Sequence, residues 1–181
     1  MEEHQIVERL RNKDNECLIE IINQYKRKVI SLCYAYTQDY FEAEDLSQEV
    51  FITLYNNIVK FREECSLSTY IYKISMSKAL DYKRKRSIKG FLTGLFNTNQ
   101  QPLERDIDQK NHVRQCIGNL QRELKEVVVL YYYIGLNQKE ISKVLNVSTK
   151  TVEGRIYRAK QRLRIEIQRG DNEVCKKSGT I

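Results

Sequence analysis

Residues 137–164 read NQKEISKVLNVSTKTVEGRIYRAKQRLR, and their spacing decides how the rest of the chain is read. Ile141, Val144 and Leu145 fall on one face of a first helix at helical spacing. Asn146-Val147-Ser148 interrupts the pattern and predicts a tight corner, with Val147 as its apolar residue. Ser148 is the expected N-cap of a second helix, its hydroxyl accepting a free backbone N–H, with Thr151 in the first turn. Val152, Ile156, Ala159 and Leu163 then form a buried stripe, and Lys150, Thr151, Glu153, Arg155, Arg158 and Arg162 occupy the other face. A helix of about 16 residues is about 24 Å long, which suits the major groove of duplex DNA. Two helices, a short corner and a basic second helix make a helix-turn-helix pattern. A plain helical hairpin would share the apolar spacing. Residues 138–164 hold eight Lys or Arg against two acids, however, on the part a groove would meet, and this favours DNA.

Composition narrows the class further. At 181 residues the chain is one domain or two small ones. No run of 18 apolar residues is present, so no membrane span is expected. MEEHQIVERLRNKDNE at the N-terminus is charged throughout, unlike a signal peptide, and the expected location is the cytoplasm. A net charge of +7 favours a polyanionic partner. The five cysteines are scattered without a C-x-x-C, so zinc and a disulfide framework are not expected. Histidines 4 and 112 stand alone near element ends. With no convergent catalytic set, no enzyme, cofactor, metal site or small-molecule substrate is expected. One proline and seven glycines argue for a mostly helical chain.

The remaining elements are all helical. Residues 2–11 form a short helix candidate, and Asp14 caps a longer one marked by Leu18, Ile21, Ile22, Tyr25, Val29, Leu32, Cys33 and Tyr36. Asp39 caps a third helix in a capping-box pattern with Glu42, and Leu46, Val50, Leu54 and Ile58 mark its inner stripe. Ser66 or Ser68 opens a fourth helix that runs to about Arg86. Residues 39–64 hold seven acids and two bases, whereas 73–89 hold seven bases and one acid, a polarity that suits two different partners. Residues 87–111 carry two glycines, the proline and an Asn/Gln run, and are the expected linker. Phe91, Leu92, Leu95 and Phe96 make that linker more apolar than a pure spacer. About 22 extended residues span about 73 Å. Val113, Ile117 and Leu120 predict one helix and Leu124, Val127, Val128 and Tyr131 another, closed by Gly135. VVVLYYY favours a strand by propensity, but the flanking helix signals and the lack of a partner strand override that. The expected fold is all-α: a four-helix module over 1–86, a flexible linker over 87–111, a helix-turn-helix module over 112–168 and a disordered tail over 169–181.

With both halves in view, about residues 10–165 resemble the extracytoplasmic-function sigma factors, the minimal two-domain class of bacterial sigma-70-type factors. EAEDLSQEVFITLY (42–55) is similar to the family's core-binding helix, FREECSLSTYIYKISMSKALDYKRKR (61–86) to its minus-10 loop and helix, and LNQKEISKVLNVSTKTVEGRIYRAKQRLR (136–164) to its minus-35 helix-turn-helix. Three motifs in the family's order, across a linker, are specific where one would be weak. The resemblance implies that Asp45, Leu46, Gln48, Glu49, Phe51 and Leu54 bind core RNA polymerase. Melted minus-10 DNA would meet Phe61, Ser68, Thr69, Tyr70, Lys73, Ser77, Asp81 and Arg84. Duplex minus-35 DNA would meet Ser148, Lys150, Thr151, Glu153, Gly154, Arg155 and Arg158. It also implies an anti-sigma factor, often membrane-anchored in the family. Two departures stand out: Tyr70 replaces the usual Trp and Ser77 a common Asn, so the family's minus-10 base preference does not carry over to this chain, and Leu120-Gln121 replaces Leu-Pro at a helix start. The alternative is a LuxR-like regulator that does not join polymerase. Such a chain would carry a sensing domain upstream, and residues 1–86 show only helix patterns.

Overall fold

The computed structural model describes the backbone of residues 2–93 and 108–178, and side chains over 2–86 and 112–169. Its elements are α1 (Glu3–Arg11), α2 (Asn15–Thr37), α3 (Tyr40–Asn57), a 3-10 turn (Ile58–Lys60), α4 (Leu67–Thr93), α5 (Asp108–Gly118), α6 (Arg122–Val128), a π-helical turn (Val129–Ile134), α7 (Gln138–Leu145) and α8 (Thr149–Ser178). No strand occurs among the described residues, so the all-α expectation holds. No described helix is long and apolar enough to cross a membrane.

The helix starts follow local chemistry. The Asp14 carboxylate accepts the Cys17 backbone N–H at 3.0 Å and lies 2.7 Å from Arg9 Nε. Those two bonds hold the Asp14 carboxyl below the ordinary carboxylate range. Asp39 accepts the Glu42 N–H at 3.1 Å in the same way. VVVLYYY is helical, as flanking signals required, but its second half widens into the π register. The turn closes where the Leu136 N–H reaches the Leu130 carbonyl at 3.0 Å, around Gly135 at φ +80°.

Two boundaries differ from expectation. α4 continues past Arg86 to Thr93 and α5 begins at Asp108, so the backbone at both ends of the linker, 87–93 and 108–111, is helical. Ser-Ile-Lys-Gly-Phe-Leu-Thr contains no proline, and one glycine does not stop a helix already propagating. The apolar residues Phe91–Phe96 lie outside the described side chains. The expected disordered tail is helical to Ser178, since nothing in RGDNEVCKKS breaks the helix.

Three apolar clusters form the interior. Val7, Leu10, Val29, Val50, Leu54, Ile58 and Ile71 belong to the core of α1–α4. Ile117, Leu120, Leu124, Val128 and Ala159 knit α5 and α6 to α8. The third cluster joins the two halves of the chain. Leu32 and Tyr36 of α2 and Tyr72, Met76 and Ala79 of α4 meet Val127, Leu130, Ile134, Ile141, Val152 and Ile156. The two sets of helices expected from the sequence are thus present, yet they share an interior. Each Leu, Ile, Val or Met side chain so removed from water contributes about 1.5–3 kcal/mol.

One charged group sits in that junction. Lys125 of α6 is only 3% exposed, and its Nζ lies 4.8 Å from the Tyr36 ring centroid. Burial, reinforced by the charge of Lys83 on α4, pushes the Lys125 ammonium down to about 8. Below that pH the charge opposes packing in full. The opposition fades as pH climbs from about 8 through the ordinary lysine value of 10.5, because the packed form favours the neutral amine. Lys125→Met therefore raises stability at pH 7 by about 1–2 kcal/mol, and its advantage over the parent chain shrinks toward pH 10.5. Thermal unfolding across that pH range checks both statements.

Candidate nucleic-acid interface

The helix-turn-helix is built from paired local caps. Asn137 and Glu140 bond each other's backbone N–H groups, at 3.0 and 2.8 Å, and start α7. Asn146 at φ +53° ends α7, and the Val147 N–H returns to the Ser142 carbonyl at 3.1 Å. Ser148 Oγ accepts the Thr151 N–H at 3.1 Å and lies 2.8 Å from Thr151 Oγ1. Ile141, Val152, Ile156 and Ala159 are buried, which fixes the rotation of α8. Lys150, Glu153 and Arg158 are consequently exposed, and Thr151, Gly154 and Arg155 half-buried beside them.

Sequence reasoning missed one member of this face. Tyr157 is 64% exposed, adjacent to Arg158 and one turn beyond Gly154. Its exposure follows from the stripe itself, since it lies one residue past the inward Ile156. Gly154 has open space around it: a Cβ would meet no atom within 4 Å. Packing within the chain therefore does not require glycine there.

The second face lies on α4 and the loop before it. Phe61 is buried and stacked on Tyr70, with ring centroids 4.6 Å apart and planes 17° from parallel. Thr69 is also buried. Neither Phe61 nor Thr69 can touch DNA in this conformation, a correction to their expected roles. Phe61 instead covers one face of the Tyr70 ring. Tyr70, Lys73 and Asp81 are half-buried, and Ser77 and Arg84 exposed, along one side of α4, with Arg84 pairing with Asp81 at 3.1 Å. Ser68 is half-buried at the helix start. Lys83, Lys85 and Arg86 extend the positive surface.

The acidic face lies on α3. Asp45, Gln48 and Glu49 are exposed, with Glu49 reaching Lys78 of α4 at 3.0 Å. Leu46, Phe51 and Leu54 are buried in the α1–α4 core and cannot serve as surface anchors. α3 packs on both α2 and α4, so a wide stripe of it turns inward. The apolar groups flanking the outward carboxylates are Phe41, 78% exposed, and Ile52, 59% exposed. Their spacing, 41-45-48-52, is the signal that could have found them.

A family model for sigma-70 region 2 matches residues 21–88, and one for sigma-70 region 4 matches 110–163, together more than half of the chain. The chain is 29% identical over 177 residues to the ECF RNA polymerase sigma factor SigW of Bacillus subtilis, covering 90% of this chain and 95% of that one. It is 29% identical over 159 residues to SigM of the same organism, covering 85% and 97%. The ECF RNA polymerase sigma-E factor of Escherichia coli is 26% identical over 180 residues, covering 90% and 93%. Among solved structures, CnrH in complex with the cytosolic domain of CnrY is similar with a TM-score of 0.74 at 18% identity, covering 92% of this chain and 97% of that one. The sigma factor RpoE bound to the anti-sigma factor NepR, from Bartonella quintana, gives 0.67 at 16%, covering 82% and 95%. These two share the fold.

Gly154→Ala separates folding from contact. Alanine stabilises the exposed helix by about 0.5–1 kcal/mol. If the open space is where a DNA backbone approaches, the same methyl weakens duplex binding. Thermal unfolding and a duplex titration on one preparation should move in opposite directions.

Proposed function

This chain belongs to the extracytoplasmic-function sigma factors of the sigma-70 family and directs transcription initiation; from that premise we propose which surfaces do the work. A sigma region 2 over 21–88 removes the alternative of a LuxR-like regulator with a sensing domain there. A sigma factor regulates transcription and needs no catalytic group of its own, and we assign none to this chain.

The acidic outward face of α3 is the polymerase-binding surface. Asp45, Gln48 and Glu49 supply charge and hydrogen bonding, and Phe41 and Ile52 the apolar anchors, while Leu46, Phe51 and Leu54 hold the helix from behind. The exposed side of α4 captures the melted minus-10 strand. Tyr70, braced by Phe61, offers its uncovered ring face for stacking, and Lys73, Ser77, Asp81 and Arg84 line the strand's path. Base capture there offsets an unpairing cost of a few kcal/mol. The α8 face from Ser148 to Arg158 reads the minus-35 duplex. Arg155 takes a guanine edge and Glu153 accepts from a cytosine amino group, with Lys150, Thr151 and Arg158 at neighbouring bases and phosphates.

The observation that carries this assignment is the separation of charge: acids outward on α3, bases outward on α4 and α8, over stripes that are fully buried. It also implies a movement. α7 packs directly on α4, so the two reading helices sit within about two helix diameters of each other, roughly 20 Å. Elements centred near minus-10 and minus-35 lie about 25 base pairs apart, roughly 85 Å at 3.4 Å per pair. The junction around Tyr36, Tyr72, Met76 and Ile141 therefore opens before both are read. The packed form is the resting one, and an anti-sigma factor keeps it so. CnrH, in complex with the cytosolic domain of CnrY, and RpoE, in complex with the anti-sigma factor NepR, share this fold. The cytoplasm is where polymerase and promoter are found.

Purified chain added to core polymerase should give discrete start sites on genomic fragments. Phe41→Ser lowers core affinity at least several-fold and leaves thermal stability unchanged, because the side chain is exposed. Arg155→Ala weakens specific minus-35 binding by about 1–3 kcal/mol, with little change on random duplex. An equal loss on both duplexes refutes base reading by Arg155.

A further inference from the structure

The loop from Phe61 to Ser66 is held by α1, far away in sequence. Its central residue, Glu63, has a left-handed backbone at φ +57°, a conformation unfavourable for a residue with a Cβ. Such a backbone persists only where surrounding contacts determine it. Those contacts come from α1. His4 Nδ1 lies 2.8 Å from one Glu63 carboxylate oxygen, and Arg11 Nη1 lies 3.0 Å from the other. Arg11 Nη2 also donates to the Phe61 carbonyl at 2.6 Å. At the far end of the loop, the Glu3 carboxylate accepts the Leu67 backbone N–H, one of the free donors at the start of α4.

α1 itself is anchored independently of these polar groups, through Val7 and Leu10 in the core. Its polar face is therefore free to serve the loop. The hydrogen bond from His4 and the charges of His4 and Arg11 hold the Glu63 carboxyl below its ordinary range, so the acceptor is ionised at neutral pH. His4, Glu8 and Glu63 lie close enough to suggest a cation site, but Arg11 already pairs with both carboxylates there.

We propose that α1 is a positioning element for minus-10 recognition: His4 and Arg11, acting through Glu63, fix the loop that precedes Tyr70 before DNA arrives. This rests on the assignment of α4 and its loop to the melted strand. Exposed ion pairs are individually weak. Here several converge on one short loop, and their effect is to remove the ordering cost from the moment of base capture. Lys13 extends the same bracing one step back, donating to the Tyr55 carbonyl at 2.7 Å just before the 3-10 turn.

The test uses full chain bound to core polymerase and two DNA probes: a minus-35 duplex, and a fork with an unpaired minus-10 strand. Arg11→Ala and His4→Ala should lower fork affinity at least tenfold together, leaving minus-35 duplex and core affinity unchanged. Arg11→Lys, which keeps a positive donor toward Glu63 and the Phe61 carbonyl, should restore part of the loss. Cys65, half-buried within the loop, reports order directly. Its alkylation, followed peptide by peptide without DNA, should speed up in Arg11→Ala and return toward the parent rate in Arg11→Lys. If Tyr70→Ala loses fork affinity while Arg11→Ala and His4→Ala do not, the minus-10 assignment stands and the positioning role is overturned. A parent chain that binds no fork overturns both. Equal loss on the duplex probe assigns α1 to general folding and also overturns the proposal.

Discussion

The structure depends on one contact: an apolar junction in which Tyr36, Tyr72 and Met76 of the N-terminal helices meet Val127, Leu130, Ile134 and Ile141 of the C-terminal ones. Apolar packing is non-directional and strong when water is excluded, so two helical sets with leftover apolar faces will join. Tyr72 shows how tightly it is made. It is almost fully buried and meets Tyr25 edge to face at 6.2 Å. Yet the junction is not optimised for permanence. Lys125 carries a charge into it, and the Tyr36 hydroxyl donates to the weak acceptor of the Met76 sulfur, 3.9 Å away. Both features weaken closure relative to a fully apolar seam. Such a compromise suits the opening proposed for this contact.

Everything outside the junction is a matter of which way each helix is turned. The buried stripe of α8 sets its basic face outward, and the double packing of α3 sets its acids outward. No residue needs unusual chemistry. Under the proposed assignment, polymerase, melted strand and duplex are distinguished by charge sign, by an aromatic platform and by helix shape. The same surfaces are exposed in the packed state, so closure restrains their separation rather than hiding their side chains.

Local features were legible in the sequence because they are decided within a few residues. The caps at Asp14, Asp39 and Ser148 each reach an N–H three positions on, and the stripe of α8 needs only helical spacing. The motif resemblance pointed to helices but did not sort their residues into inward and outward ones. Leu46, Phe51 and Leu54 belong to the binding motif's pattern, yet a helix with two neighbours turns them inward and leaves Phe41 and Ile52 outside. Phe61 was expected on DNA and instead supports Tyr70. Periodicity reveals that a face is buried but not against what, so the shared junction was invisible. So was the bracing by α1, since no spacing rule links His4 to Glu63. The continuation of α4 past Arg86 runs against the linker-like composition of that segment, because a helix already propagating ends only at a strong breaker.

The most direct measurement is the separation of the two halves in solution. Labels at exposed Asn56 of α3 and Gln161 of α8, introduced into a cysteine-free chain, would report it by paired-spin or fluorescence distance. A single short distance is predicted for the free protein, lengthening by several tens of ångströms in the complex with core polymerase and promoter. A distance that stays short while transcription proceeds would contradict the opening of the junction, and with it the role assigned to this interior.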